Sequence, residues 1–139
     1  MNYKRILMGG LLAGLIINAS EFLLNGVVLA DEMAADMARL GLHYASWAMP
    51  AFVIMAFIYG LSLAWLYAAL RPRYGAGRLT ALLATAVVWV LAYLLPTVMY
   101  LAMGAGSQGA YALAVLWGLV ELLIAGQLAG YLYQEAKVE

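Results

Sequence analysis

Two acids stand inside apolar sequence where charged side chains are rare. Glu21 lies between Asn18 and Asn25 in the run Gly10-Leu-Leu-Ala-Gly14-Leu-Ile-Ile-Asn18-Ala-Ser-Glu21-Phe-Leu-Leu-Asn25, and Glu121 lies in Leu116-Trp-Gly-Leu-Val-Glu121-Leu-Leu-Ile. An ionisable group at membrane depth is costly, so it is read first as a proton or cation site. In that reading Glu21 titrates and Asn18 and Asn25 orient it. In the alternative, a neutral Glu21 hydrogen-bonds a neighbouring helix and serves as interhelical glue.

The spacing on the helical wheel sharpens the first reading. At about 100° per residue, Gly10, Gly14, Asn18, Glu21 and Asn25 share an arc of about 80°. Gly10 and Gly14 allow another backbone to approach, and the polar stripe beyond them needs protein or water to face. A third stripe, Thr85, Trp89, Tyr93, Pro96 and Tyr100, falls within a similar arc of about 80°. Tyr93 is deep enough that its hydroxyl needs a partner, for which Glu21 is the natural candidate. A pocket with Glu21 at its base and Tyr93, Trp89 and Tyr100 on its wall is expected, with core packing as the plainer account of the stripe. Pro96 has no N–H for the Ala92 carbonyl, so a kink is expected there.

Other chemistries are thinly supplied. There is no cysteine and a single histidine, His43. Thiolate catalysis, Cys-ligated metals and bis-histidine haem within one chain are therefore excluded. His43 with Met33 and Met37 offers a weak Cu(I) option, although methionine equally fills irregular gaps. No cofactor is expected. The loop from Gly104 to Gly109 lacks the Lys and Ser or Thr that complete a phosphate-binding loop.

The elements that position these residues follow from composition. Of 139 residues 68% are hydrophobic and 10% charged, against about 45–50% and about 25% in soluble domains. Four segments, about 6–29, 49–70, 79–103 and 110–133, are each long enough to cross a bilayer as helix. Open sheet edges are not tolerated in lipid. The expectation is an all-α, polytopic membrane protein: one transmembrane domain over 1–139, an antiparallel four-helix bundle. Ser46 is expected to cap the second long helix, and Arg71-Pro72-Arg73-Tyr74-Gly75-Ala-Gly77, with a proline and two glycines, to end it. In the first connection Met33, Met37 and Leu40 recur at helical spacing, with Asp31 as N-cap and Gly41 as stop, so a short amphipathic surface helix is expected at about 31–40.

Lys4-Arg5 before an apolar run imitates a secretory signal, but the run resumes at Phe22 and Val27, so an uncleaved first helix is expected. Lys4, Arg5, Arg71, Arg73, Arg78 and Lys137 fall on one side and Arg39 on the other. By the positive-inside rule this gives a cell (inner) membrane protein with both termini cytoplasmic. Seven basic and seven acidic residues give no net charge and no reason to expect nucleic acid. Gly126 and Gly130 form a second GxxxG pair about 160° from Glu121. Two opposed faces on one helix favour a homo-oligomer or partner membrane subunits.

In its four short helices and a membrane-embedded glutamate in the first, the chain resembles the small multidrug resistance transporters. That resemblance implies ion-linked transport centred on Glu21. The flanking Asn18 and Asn25, the seventeen-residue acidic loop at 30–46 and the one-sided basic bias depart from it. A non-catalytic accessory or assembly subunit of a larger membrane complex is the second expectation. An enzyme using Glu21 and Tyr93 as an acid-base pair is third, because no nucleophile, metal set or nucleotide loop accompanies them.

Overall fold

The computed structural model describes residues 1–134, and Lys137 lies outside the described residues. The described chain is all-helical. Four helices are long and apolar enough to cross a membrane: α1, Tyr3–Val28; α3, Ala48–Tyr74; α4, Arg78–Ala102; and α5, Gln108–Leu132. The short helix α2, Ala30–Leu40, joins α1 to the rest.

The bundle is held together by small residues rather than by large interlocking ones. Ala13, Ala64, Ala68, Ala84, Ala125 and Ala129 are all at most 1% exposed. Lipid tails are as apolar as leucine, so helices in a membrane gain by close backbone approach and van der Waals packing. Leucines 7, 11 and 15, Ile54, Ile58, Leu116, Val120 and Ile124 point outward instead. An apolar surface of that extent suits acyl chains and is unsuited to water.

The tightest contact is between α1 and α3. A Cβ added at Gly10 would lie 2.7 Å from the Leu61 Cα, and one at Gly14 would lie 2.8 Å from the Phe57 Cα. From the other side, a Cβ at Gly60 would collide with the Gly14 nitrogen and the Gly10 oxygen. Residue numbers rise along α1 as they fall along α3. The same opposed register joins α4 and α5, where Trp89 meets Val115 and Arg78 meets Gln127.

The helix caps differ from expectation in two places. Asp31 is not the cap of α2, since only Leu29 separates α1 from α2, and the Leu29 amide bonds the Leu24 carbonyl at 2.7 Å. Asp31 and Glu32 instead occupy the first turn, where they complement the helix dipole. Ser46 does not cap α3, because Trp47 takes that position without a side-chain bond. Within the stretch expected to end α3, the stop falls at Gly75 and not at Pro72. The proline sits in the last turn, where it forfeits one N–H, and the helix runs on until Gly75, at φ 83°, donates to the Arg71 carbonyl. Gly41 does stop α2, in the left-handed conformation that glycine favours.

Two π-helical turns interrupt the long helices, Leu24–Val28 in α1 and Val90–Leu94 in α4. The second precedes Pro96. The Leu95 amide reaches back to the Val90 carbonyl, a wider turn of the kind that accompanies helix kinks, directly before the proline. A wide turn also shifts the phase of every residue beyond it, so the wheel drawn for an unbroken α4 fails after Val90.

Candidate functional site, a phenol between two carboxyls

Tyr93 lies inside the π turn of α4, and its hydroxyl reaches both acids. It donates to Glu21 Oε1 of α1 at 2.8 Å and also meets Glu121 Oε1 of α5 in hydrogen-bonding contact. Gly118 makes this possible, because any Cβ there would overlap the Tyr93 ring. The ring therefore packs against the α5 backbone at Gly118, one turn from Glu121. Tyr59 of α3 stands behind it, with ring centroids 6.4 Å apart.

Depth follows from the rise of the helix. Measured from the end of the bundle that carries α2, Glu21 lies about 10 Å in, Tyr93 about 14 Å and Glu121 about 20 Å. The cluster thus steps from the outer third of α1 to the middle of α5. Glu121 is 3% exposed, and Glu21 is half-buried.

Counting hydrogens assigns the protons. A tyrosine hydroxyl donates once, and an ionised carboxylate only accepts. Two hydrogen bonds from one phenol to two carboxyls therefore require one carboxyl to supply a proton. Glu21 already accepts twice, since Asn25 Nδ2 donates to its Oε2 at 2.5 Å. Glu121 Oε2 is buried and has no hydrogen-bond partner, as befits a neutral acid more than a carboxylate. An arrangement that meets this count is a Glu21 carboxylate, a Tyr93 hydroxyl that donates to it and accepts from the other side, and a Glu121 carboxylic acid.

The remaining candidates separate. Asn25 folds back one turn, also donating to the Glu21 carbonyl at 3.1 Å. Asn18 does not orient Glu21; its side-chain nitrogen bonds the Gly14 carbonyl at 2.9 Å and the Val53 carbonyl of α3 at 3.3 Å. Trp89 turns to α5, where its indole donates to the Val115 carbonyl at 2.9 Å. Tyr100 is exposed and stacks on Tyr111 with centroids 6.2 Å apart. The expected pocket wall is therefore reduced to Tyr93: Tyr100 lies beyond the phase shift at Val90–Leu94, and Trp89, which precedes it, is drawn to the α5 backbone.

Gly126 and Gly130 pack inside the chain. A Cβ at Gly126 would overlap the Thr85 hydroxyl, and one at Gly130 would lie 2.9 Å from the Tyr67 ring. Both opposed faces of α5 are thus satisfied within one chain, which removes the packing argument for a second copy. Met33 and Met37 are half-buried on α2, and His43 is exposed in the loop that follows. Among the described residues no group of three or more His, Cys, Asp or Glu side chains gathers.

Gly60, Gly118, Ser20 and Trp117 went unread in the sequence. The Trp117 indole donates to the Ser20 hydroxyl at 2.8 Å, a second tie between α1 and α5 beside the carboxyls. Gly118, three residues before Glu121, and Ser20, next to Glu21, were the available signals. No family model, curated protein or solved structure matches the chain.

Proposed function

We propose that the protein is a proton- or cation-linked carrier or channel component whose membrane site is Glu21, Tyr93 and Glu121. In this reading it is a multi-pass inner-membrane protein with antiparallel long helices and both termini cytoplasmic. The opposed registers of α1 with α3 and α4 with α5 support the arrangement, and Lys4, Arg5, Arg71, Arg73 and Arg78 at one end support the orientation.

The observation that carries the proposal is the single phenol hydroxyl bonded to two carboxyls at membrane depth. A proton is the better cargo than a metal cation. Both Glu21 oxygens face N–H or O–H donors, which repel a cation, whereas a proton can pass from Glu121 through Tyr93 to Glu21. In that relay the Glu121 O–H bond breaks as its proton joins the phenol oxygen. The phenol O–H bond breaks as its own proton joins Glu21, so the tyrosine is regenerated.

Purified protein in liposomes holding a pH-sensitive dye tests this. Flux driven by a proton gradient is expected, abolished by Glu21→Gln and strongly reduced by Tyr93→Phe while assembly is unchanged. Equal flux from wild type and Glu21→Gln would overturn it. One observation favours a second reading, an accessory subunit in which the cluster only ties helices together. The two clefts described below and at the α1–α3 groove are lined by other residues. Copurification from native membranes with a stoichiometric partner, together with absent flux, would select that reading.

A further inference from the structure

A cleft of about 480 Å³ opens at the basic end of the bundle, where α3, α4 and α5 meet. Its wall carries Arg71, Arg78, Gln127, Tyr67, Tyr133 and the backbone of Gly77. It lies at the far end from the α2 helix, and none of Glu21, Tyr93 or Glu121 lines it. From this wall we infer a binding site for the phosphate of an anionic phospholipid headgroup.

Four features of the cleft combine. Arg78 is exposed and makes no ion pair among the described residues. Arg71 is held over the Tyr133 ring, its guanidinium carbon 5.5 Å from the centroid, so a second positive group is fixed on the same wall. The first turn of α4 opens with Gly77 and no side-chain cap, which leaves the positive end of a long helix at the same place. Tyr67 adds a hydroxyl to the same wall. Its side chain is only 4% exposed, and its hydroxyl accepts the Gly77 amide at 3.1 Å. The hydroxyl hydrogen has no acceptor among the described residues, and phosphate oxygen is an acceptor without a hydrogen of its own.

The chemistry is that of a phosphate group, and its position selects the lipid. The cleft sits where the long helices end, at the level of headgroups. Its rim is apolar, with Leu79 64% and Leu128 38% exposed, so acyl chains have a track down α4 and α5. Basic pockets between membrane helices are suited to anionic headgroups, and a planar guanidinium matches phosphate oxygens two at a time. Gln127 donates to the Arg78 carbonyl at 3.3 Å, which ties the arginine's backbone to the opposite wall.

The test uses the full chain in detergent micelles with either phosphatidylglycerol or phosphatidylcholine, counting retained lipids by native mass spectrometry. Phosphatidylglycerol is expected to be retained about tenfold more strongly, because both lipids bring the phosphate but only phosphatidylcholine adds a positive choline that Arg71 and Arg78 repel. Arg78→Gln, at an exposed position, should bring the two lipids toward parity, with helix content by circular dichroism unchanged, and Tyr67→Phe should lower the retention of both lipids alike. Equal retention of the two lipids by the wild type, or full retention of phosphatidylglycerol by Arg78→Gln, would overturn the proposal. Inorganic phosphate that displaces phosphatidylglycerol at equal concentration would overturn the lipid assignment. Proton flux is not a readout here, so this result is independent of the transport proposal.

Discussion

Replacing Gly10 and Gly14 by alanine tests the packing on which the carboxyl site rests. At Gly10 the added carbon would stand 2.7 Å from the Leu61 Cα, and at Gly14 2.8 Å from the Phe57 Cα, whereas ordinary contact begins at 3.4 Å. Both obstacles are backbone, so no rotamer change relieves them, and α1 must withdraw from α3 by about 0.6–0.7 Å to restore ordinary contact. A gap of about 0.5–1 Å already forfeits a quarter to a half of each dispersion contact across the interface. Overpacking of this kind costs about 1–3 kcal/mol per site, from which about 1 kcal/mol is recovered because alanine is the better helix former. At a net cost of about 0–2 kcal/mol per site, the double variant should lose about 2 kcal/mol and at most about 4 kcal/mol. Glu21, two turns from Gly14, should move off the Tyr93 hydroxyl with it. The assay is the unfolding midpoint in a titration of micelles with dodecyl sulfate, followed by circular dichroism, with Gly109→Ala as control. Gly109 has nothing within 4 Å of an added carbon, so its midpoint should hold or rise. A double variant as stable as the control would refute the claim that backbone contact at these glycines sets the position of α1.

Three further outcomes are expected. Infrared difference spectra at neutral pH should contain the carbonyl stretch of a protonated carboxyl that Glu121→Gln removes and Glu21→Gln does not; loss in the reverse pattern would exchange the two assignments. A double-mutant cycle of Tyr93→Phe with Glu121→Gln should show a coupling of about 0.5–2 kcal/mol in unfolding free energy, and additivity would deny the hydrogen bond. Pro96→Ala should let the turn at Val90–Leu94 close to an ordinary α turn and rotate Tyr93 away from its partners. Stability would then hold while that coupling and any proton flux fall.

How much could be read beforehand divides along physical lines. The four long helices were legible because hydrocarbon thickness dictates their length and apolarity, and Gly41 because its backbone conformation nearly demands glycine. The pairing of Tyr93 with Glu21 was legible from the cost of leaving a hydroxyl unpaired. The loss of Tyr100 from the site was not, because a wheel of constant pitch cannot register a π turn, nor was that of Trp89, whose indole found the Val115 carbonyl of α5. Asn18 shared an arc with Glu21, yet the Val53 carbonyl across the α1–α3 contact was nearer to hand than a carboxyl on the next turn. Gly118 and Gly60 were invisible for a different reason. Nothing in a sequence says which glycine will have another helix's ring or backbone laid against it.

Beneath Glu121, toward the basic end, the interior is closed by Leu122, Ala125 and Ala129, with Ala84, Thr85 and Leu63 opposite, all at most 1% exposed. Most of these side chains are too short to swing aside. A barrier made of them has no door leaf, only walls that press together. Traffic past Glu121 would require whole helices to slide or tilt, a motion of microseconds to milliseconds rather than a side-chain flip. Throughput would then be limited by the scaffold's own mobility, and stiffening the lipid around it should slow transfer even with every acid intact.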